Sequence, residues 1–113
     1  MPVVLEGLDA PYYAVIFTAV PSDDTREYGA TVARLLELVV DQPGFLGVEA
    51  ANEPSGEIVV SYWRDEASIL AWKRHAEHRA AQERGRGQWY AGYAVRGARV
   101  ERSYTFSLAA DGG

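Results

Sequence analysis

The chain has no cysteine. That excludes disulfides, thiolate nucleophiles, zinc fingers and iron–sulfur clusters. It has no long apolar run: none reaches the roughly 18–20 residues a membrane span needs. The opening stretch, MPVVLEGLDAPYY, lacks a basic segment leading into an apolar core, so no secretory signal is expected. Cations are also scarce. Net charge is −5, and binding a phosphate backbone needs a surplus of Lys and Arg, so no nucleic-acid partner is expected. No GxSxG elbow, GxxxxGK[ST] loop or HExxH pair is present. These absences leave a soluble, cytoplasmic protein with no membrane partner as the expectation.

What is present fits one domain. The 113 residues suffice for a single core, so 1–113 is read as one unit, with a core over 12–106 and a fraying tail over 107–113. Charge is unevenly placed along it. Residues 1–66 carry −9 and residues 67–113 carry +4, with seven arginines among the late bases. Pairing between the two halves or between subunits explains that most simply; an anionic-ligand patch is the alternative.

Residues 12–20, YYAVIFTAV, are aromatic and β-branched and stop at Pro21, which reads as a strand. Asp24 and Glu27 have the spacing of a capping box. Tyr28, Val32, Leu35, Leu36 and Val39 then repeat at helical intervals, so the spacing predicts a helix over 25–41. Residues 45–52 and 57–64 form two strands joined by the turn cluster Asn52–Gly56. Asp65 and Glu66 open a second helix, predicted to run to Arg84 and stop at Gly85 and Gly87. A last strand is expected over 92–106, with a bulge at Gly97. The order β-α-β-β-α-β is the ferredoxin-like α+β arrangement: a four-stranded antiparallel sheet with two helices on one face.

Those strands are apolar on both faces. Tyr13, Val15, Phe17 and Ala19 share one side of the first strand; Tyr12, Ala14, Ile16 and Val20 share the other. Two helices cover only one side. A second copy packed face to face would bury the rest, so a homodimer is expected.

Residues 62–93 hold all three tryptophans (Trp63, Trp72, Trp89), both histidines (His75, His78) and Tyr62, Tyr90 and Tyr93. On the second helix, Ser68, Ala71, His75, His78 and Gln82 form a small, polar stripe beside Trp72. Each Trp alone suits a core, and each His alone suits a surface bonded to backbone. Together, flat rings with polar tips suit a flat, conjugated ligand. His75 and His78 lack an obvious third ligand, so no metal is expected.

The element order, Pro43-Gly44-Phe45 opening the second strand, Tyr62-Trp63 before an acidic cap, and Trp72 beyond it together resemble the antibiotic biosynthesis monooxygenase family. The run His75-x-x-His78-x-x-x-Gln82-x-x-Gly85-x-x-x-Trp89-Tyr90 resembles a small bacterial branch of it. The resemblance implies a dimeric α/β barrel with a pocket between helices and sheet. Some members oxidise polycyclic aromatic phenols with molecular oxygen and neither metal nor flavin; others break down haem. Position 82 is Gln where the haem-degrading pattern has an iron-binding His, and the first strand lacks that pattern's Asn.

The expected function is therefore a cofactor-independent monooxygenase for an aromatic or phenolic small molecule, with no cofactor. His75 would be the base or orienting group, Trp72 the stacking wall and Arg79 the stabiliser of the phenolate. Trp63, His78, Gln82, Trp89, Tyr90 and Tyr93 would contact the ligand. The alternatives are a non-catalytic binding or stress-response barrel and, third, haem binding.

Overall fold

A computed structural model describes residues 5–106 and 108. Four strands, β1 (Tyr12–Pro21), β2 (Phe45–Glu53), β3 (Gly56–Trp63) and β4 (Tyr90–Val100), form one antiparallel sheet in the order β2-β3-β1-β4. Three helices complete it: α1 (Tyr28–Val39), α2 (Glu66–Lys73) and α3 (Ala76–Arg84). The expected ferredoxin-like sheet is thus present. No helix among the described residues is long and apolar enough to cross a membrane.

Register decides which residues share a face. Tyr13 lies opposite Trp63, Phe17 opposite Val59 and Val95, and Ala19 opposite Glu57 and Tyr93. Phe17 meets Tyr90 edge to face at 5.3 Å, and Tyr90 meets Tyr28 at the start of α1 at 5.6 Å. The helices therefore cover the Phe17 side. Trp63 is 1% exposed, packs on Phe45 at 5.3 Å and donates its indole N–H to Ser61 Oγ at 2.9 Å. Gly44 holds a positive φ of 81°, and a Cβ there would collide with the Ser68 hydroxyl on α2. Only glycine brings β2 this close to that helix.

The opposite face is covered at one end only. Leu5 packs onto Gly47, and its N–H donates to the Glu49 carboxylate at 2.8 Å. Tyr62 donates to the same carboxylate at 2.6 Å and meets Tyr12 edge to face. At the other end Val20 and Ile58 are about half exposed, at 53% and 52%.

Four local expectations need correcting. The second helix is not continuous to Arg84: it breaks at Arg74-His75, and the His75 imidazole caps α3 by accepting the Glu77 N–H at 3.3 Å. The capping box at Asp24–Glu27 does not form. Glu27 itself is the N-cap of α1, in the left-handed region at φ 66°, and Asp24 is engaged by Arg26 through two side-chain bonds of 2.8 Å. The bulge is not at Gly97, which pairs in register with Val15; it lies at Val20/Pro21. The last strand starts at Tyr90 and ends at Val100 rather than running to 106. Tyr12 is the last partner β1 offers, so the chain beyond Val100 has no ladder to join. The tail over 107–113 lies outside the described residues apart from Leu108.

Asp65 does cap α2 as expected, accepting the Ser68 N–H at 2.8 Å, with Glu66 in the first turn. One ion pair joins an acid of the first half to a base of the second, Arg84 with Glu27 at 3.2 Å; Arg34 and Glu77, also 3.2 Å apart, pair across the halves in the opposite sense.

Candidate functional site

The predicted site residues fall into separate groups. Trp72, His75 and His78 meet where α2 gives way to α3. Trp72 stacks on the His78 ring at 4.6 Å and 16°, and lies 5.3 Å from the His75 ring. His78 is half-buried, and its Nδ1 lies 3.1 Å from the Trp72 carbonyl oxygen. A carbonyl only accepts, so Nδ1 carries the proton and neutral His78 keeps its lone pair on Nε2. Burial pushes the His78 pKa down, favouring that neutral form. Arg79 is exposed on α3 and Gln82 is half-buried.

Trp63 and Trp89 are placed differently. Both are sealed, at 1% and 2% exposure. Trp63 belongs to the β2–β3 packing described above. Trp89 donates its indole N–H to the Arg26 carbonyl at 2.9 Å, and the Arg84 guanidinium lies 5.1 Å over its ring.

The third group sits at the end of the sheet where β1 finishes and β4 begins. Residues Gly85–Trp89 make a π turn, closed by the Tyr90 N–H bonding to the Gly85 carbonyl. Sequence periodicity does not reveal this turn. It delivers Trp89 inward and Tyr90 onto the sheet. Gly85 is needed there, because a Cβ would stand 2.7 Å from Tyr90 Cε2. Tyr28, Trp89, Tyr90, Phe17 and Tyr93 then form a chain of rings with centroids 5.2–5.7 Å apart. All but the tilted Phe17–Tyr93 pair meet edge to face, which fixes ring positions beyond what burial alone does.

This group carries a polar thread. The Tyr90 hydroxyl lies 2.9 Å from the Tyr28 hydroxyl, which in turn bonds to a Glu57 carboxylate oxygen. Burial, with the Glu57 bond next, pushes the Tyr28 phenol far above its ordinary value. Burial likewise pushes Tyr90 up to about 12. Both stay neutral at physiological pH. Tyr28, Glu57, Trp89 and Tyr90 line an open hollow of about 340 Å³, completed by Ser22, Thr25 and Pro54. A larger hollow of about 670 Å³ shares Ala19, Asn52, Glu53, Gly56 and Glu57 with it and spreads over Thr18, Val20 and Ile58 on the other face. Neither hollow touches Trp72, His75 or His78. Among the described residues no three His, Asp or Glu side chains gather as metal ligands.

Tyr28 and Glu57 were not singled out by sequence. They lie 29 positions apart, and Tyr28 lies 62 from Tyr90. The strand register that places Glu57 beside Ala19 is the only local hint.

The pattern described as antibiotic biosynthesis monooxygenase matches residues 11–84. The chain belongs to this family. It is 50% identical over 99 residues to the uncharacterized protein YqjZ of Bacillus subtilis, covering 87% of each chain. It is 30% identical over 95 residues to the jasmonate monooxygenase ABM of Pyricularia oryzae; the match takes in 80% of this chain and 44% of that protein. The fold is similar to a mutant form of SnoaB, a cofactor-independent oxygenase from Streptomyces nogalater. That TM-score is 0.70 at 12% identity, covering 83% of this chain and 97% of the other. The resemblance read from Pro43-Gly44-Phe45, Tyr62-Trp63 and Trp72 therefore holds. The matched span includes Tyr28, Glu57, Trp72, His75 and His78 but ends before Trp89 and Tyr90.

Proposed function

We propose that the chain is a cofactor-independent monooxygenase acting on an aromatic or phenolic small molecule, and that it works as a homodimer in the cytoplasm. The observation that carries this reading is the hollow bordered by Tyr90, Tyr28 and Glu57, with the sealed Trp89 behind them. Its size falls in the roughly 300–1,000 Å³ range of ligand sites, and such sites pair aromatic walls with a few polar groups. Family membership, and the name of one relative as a jasmonate monooxygenase, support the reaction class.

In the proposed reaction a phenol supplies the electrons and molecular oxygen accepts them. One oxygen atom is added to the ring and two hydrogens leave it; the second oxygen departs as water. The protein's part is to hold the phenol flat, take up its proton and exclude water.

The dimer is supported by what one copy leaves uncovered. Ile58 and Val20 are exposed on the open sheet face. The segment after Val100 carries Tyr104, Phe106 and Leu108 at alternate positions, at 94%, 78% and 86% exposure. A second copy would cover both. Light scattering should give twice the monomer mass, and a monomer at micromolar concentration would oppose this part of the reading.

A second placement keeps Trp72 as stacking wall, Arg79 as phenolate stabiliser and His75 as orienting group rather than base: its Nδ1 accepts the Glu77 N–H, so neutral His75 carries its hydrogen on Nε2. The contact of Trp72 with both imidazoles favours it. Oxygen uptake with a panel of phenols separates the two. Loss in Tyr90→Phe and Tyr28→Phe locates the reaction at the end of the sheet. Loss in His75→Ala and Trp72→Ala locates it at the α2–α3 junction. Ligand-dependent thermal stabilisation without any uptake would mark a binding module instead.

A further inference from the structure

The thread through Tyr90, Tyr28 and Glu57 has a direction. Tyr28 owns one hydroxyl hydrogen, and a carboxylate oxygen can only accept. Tyr28 therefore donates to Glu57. Across the 2.9 Å contact between the two phenols, Tyr28 must then accept and Tyr90 must donate. The Tyr90 hydrogen is committed inward, and what its oxygen can still offer is a lone pair. Tyr28, Glu57 and Tyr90 all border the same hollow.

We propose that Tyr90 is a specificity-determining acceptor for a ligand's free hydroxyl, selecting phenols over their methyl ethers, and that Glu57 sets this preference through Tyr28. The inference rests on the oxygenase reading for the place where substrate sits. Tyr90 would touch the ligand; Tyr28 and Glu57 are positioning residues. A phenol donating to Tyr90 extends a row of hydrogen bonds that all point towards a negative charge, and each bond strengthens the next. A methyl ether has no hydrogen to give, so its oxygen would face the Tyr90 lone pair. A carboxylate only accepts, so Glu57 decides the direction of every bond before it. The high pKa of both phenols keeps the row from ionising near neutrality.

The substitution Glu57→Gln tests this without removing a bond. The amide it introduces is nearly the same shape and can donate to Tyr28. Tyr28 can then donate to Tyr90, and Tyr90 to the ligand, so the preference should shift towards the ether. Titration calorimetry of the full chain with 1-naphthol and with 1-methoxynaphthalene reads it directly. Wild type is expected to bind the naphthol roughly tenfold more tightly, the scale of one good hydrogen bond. Glu57→Gln should narrow or invert that ratio. Tyr90→Phe, which keeps the ring and so guards against a folding artefact in the first variant, should bring the ratio to about one while leaving ether affinity in place.

Equal binding of both probes by wild type would overturn the inference and leave the oxygenase reading standing, as would a ratio that Glu57→Gln does not move. A retained preference with no oxygen uptake would overturn the oxygenase reading alone. Binding of neither probe would overturn both.

Discussion

Trp63 and Trp89 are sealed inside the protein with their indole N–H groups bonded to Ser61 and the Arg26 carbonyl. Trp72 is half-buried and lies flat against His78. The three share a residue type and a stretch of sequence, yet two support the framework and one faces an imidazole. A cluster of aromatics in sequence is thus a poor guide to which rings remain available. What separates them is position: Trp63 ends an inner strand, Trp89 ends a π turn aimed inward, and Trp72 precedes a helix break.

Emptying a sealed position should destabilise the fold most. Trp63→Ala should cost about 3–5 kcal/mol in denaturant unfolding, the range for emptying an aromatic core position. A cost below about 1 kcal/mol would show that Trp63 is not a core position. Gly85→Ala comes next, at about 1–3 kcal/mol, because the added methyl drives the Tyr90 ring off its seat. Trp72→Ala should cost about 1–2 kcal/mol in the same assay, as expected for a side chain already half in water. A cost equal to that of Trp63→Ala would erase the distinction.

The mildest effect concerns the imidazole against Trp72. The His78 pKa is lowered in the folded state by burial, so the folded protein binds fewer protons here than the unfolded chain. Its stabilising contribution is full above the ordinary value of 6.5 and is lost as pH falls through the lower folded value. The melting temperature should therefore drop on acidification below 6.5, and His78→Gln should flatten that part of the curve. An unchanged slope in the variant would remove His78 from the account.

The element order and sheet were legible because apolar periodicity and the Asn52–Gly56 turn cluster are strong local signals. The break at Arg74-His75 was not. No Gly or Pro marks it in ILAWKRHAEHRAAQE, and a histidine ring nitrogen fills the capping role that Ser or Asp usually signals. The early end of β4 was hidden for a different reason. ERSYTF has strand propensity, but a strand needs a neighbour, and β1 has none to offer beyond Tyr12. Of the site, the aromatic stretch pointed to Trp89 and Tyr90. Tyr28 and Glu57 entered only with the fold, since their contact joins residues from a helix start and a strand start far apart in sequence.

On the proposed reading, the end of the sheet presents a phenol for oxidation through Tyr90. Oxygen consumption in the presence of a phenol that binds tests it most directly. Wild type should consume oxygen in step with loss of the phenol, and Tyr90→Phe should lower the rate roughly tenfold for the hydrogen bond removed. No oxygen uptake with any bound phenol, or uptake that Tyr90→Phe leaves unchanged, would contradict it.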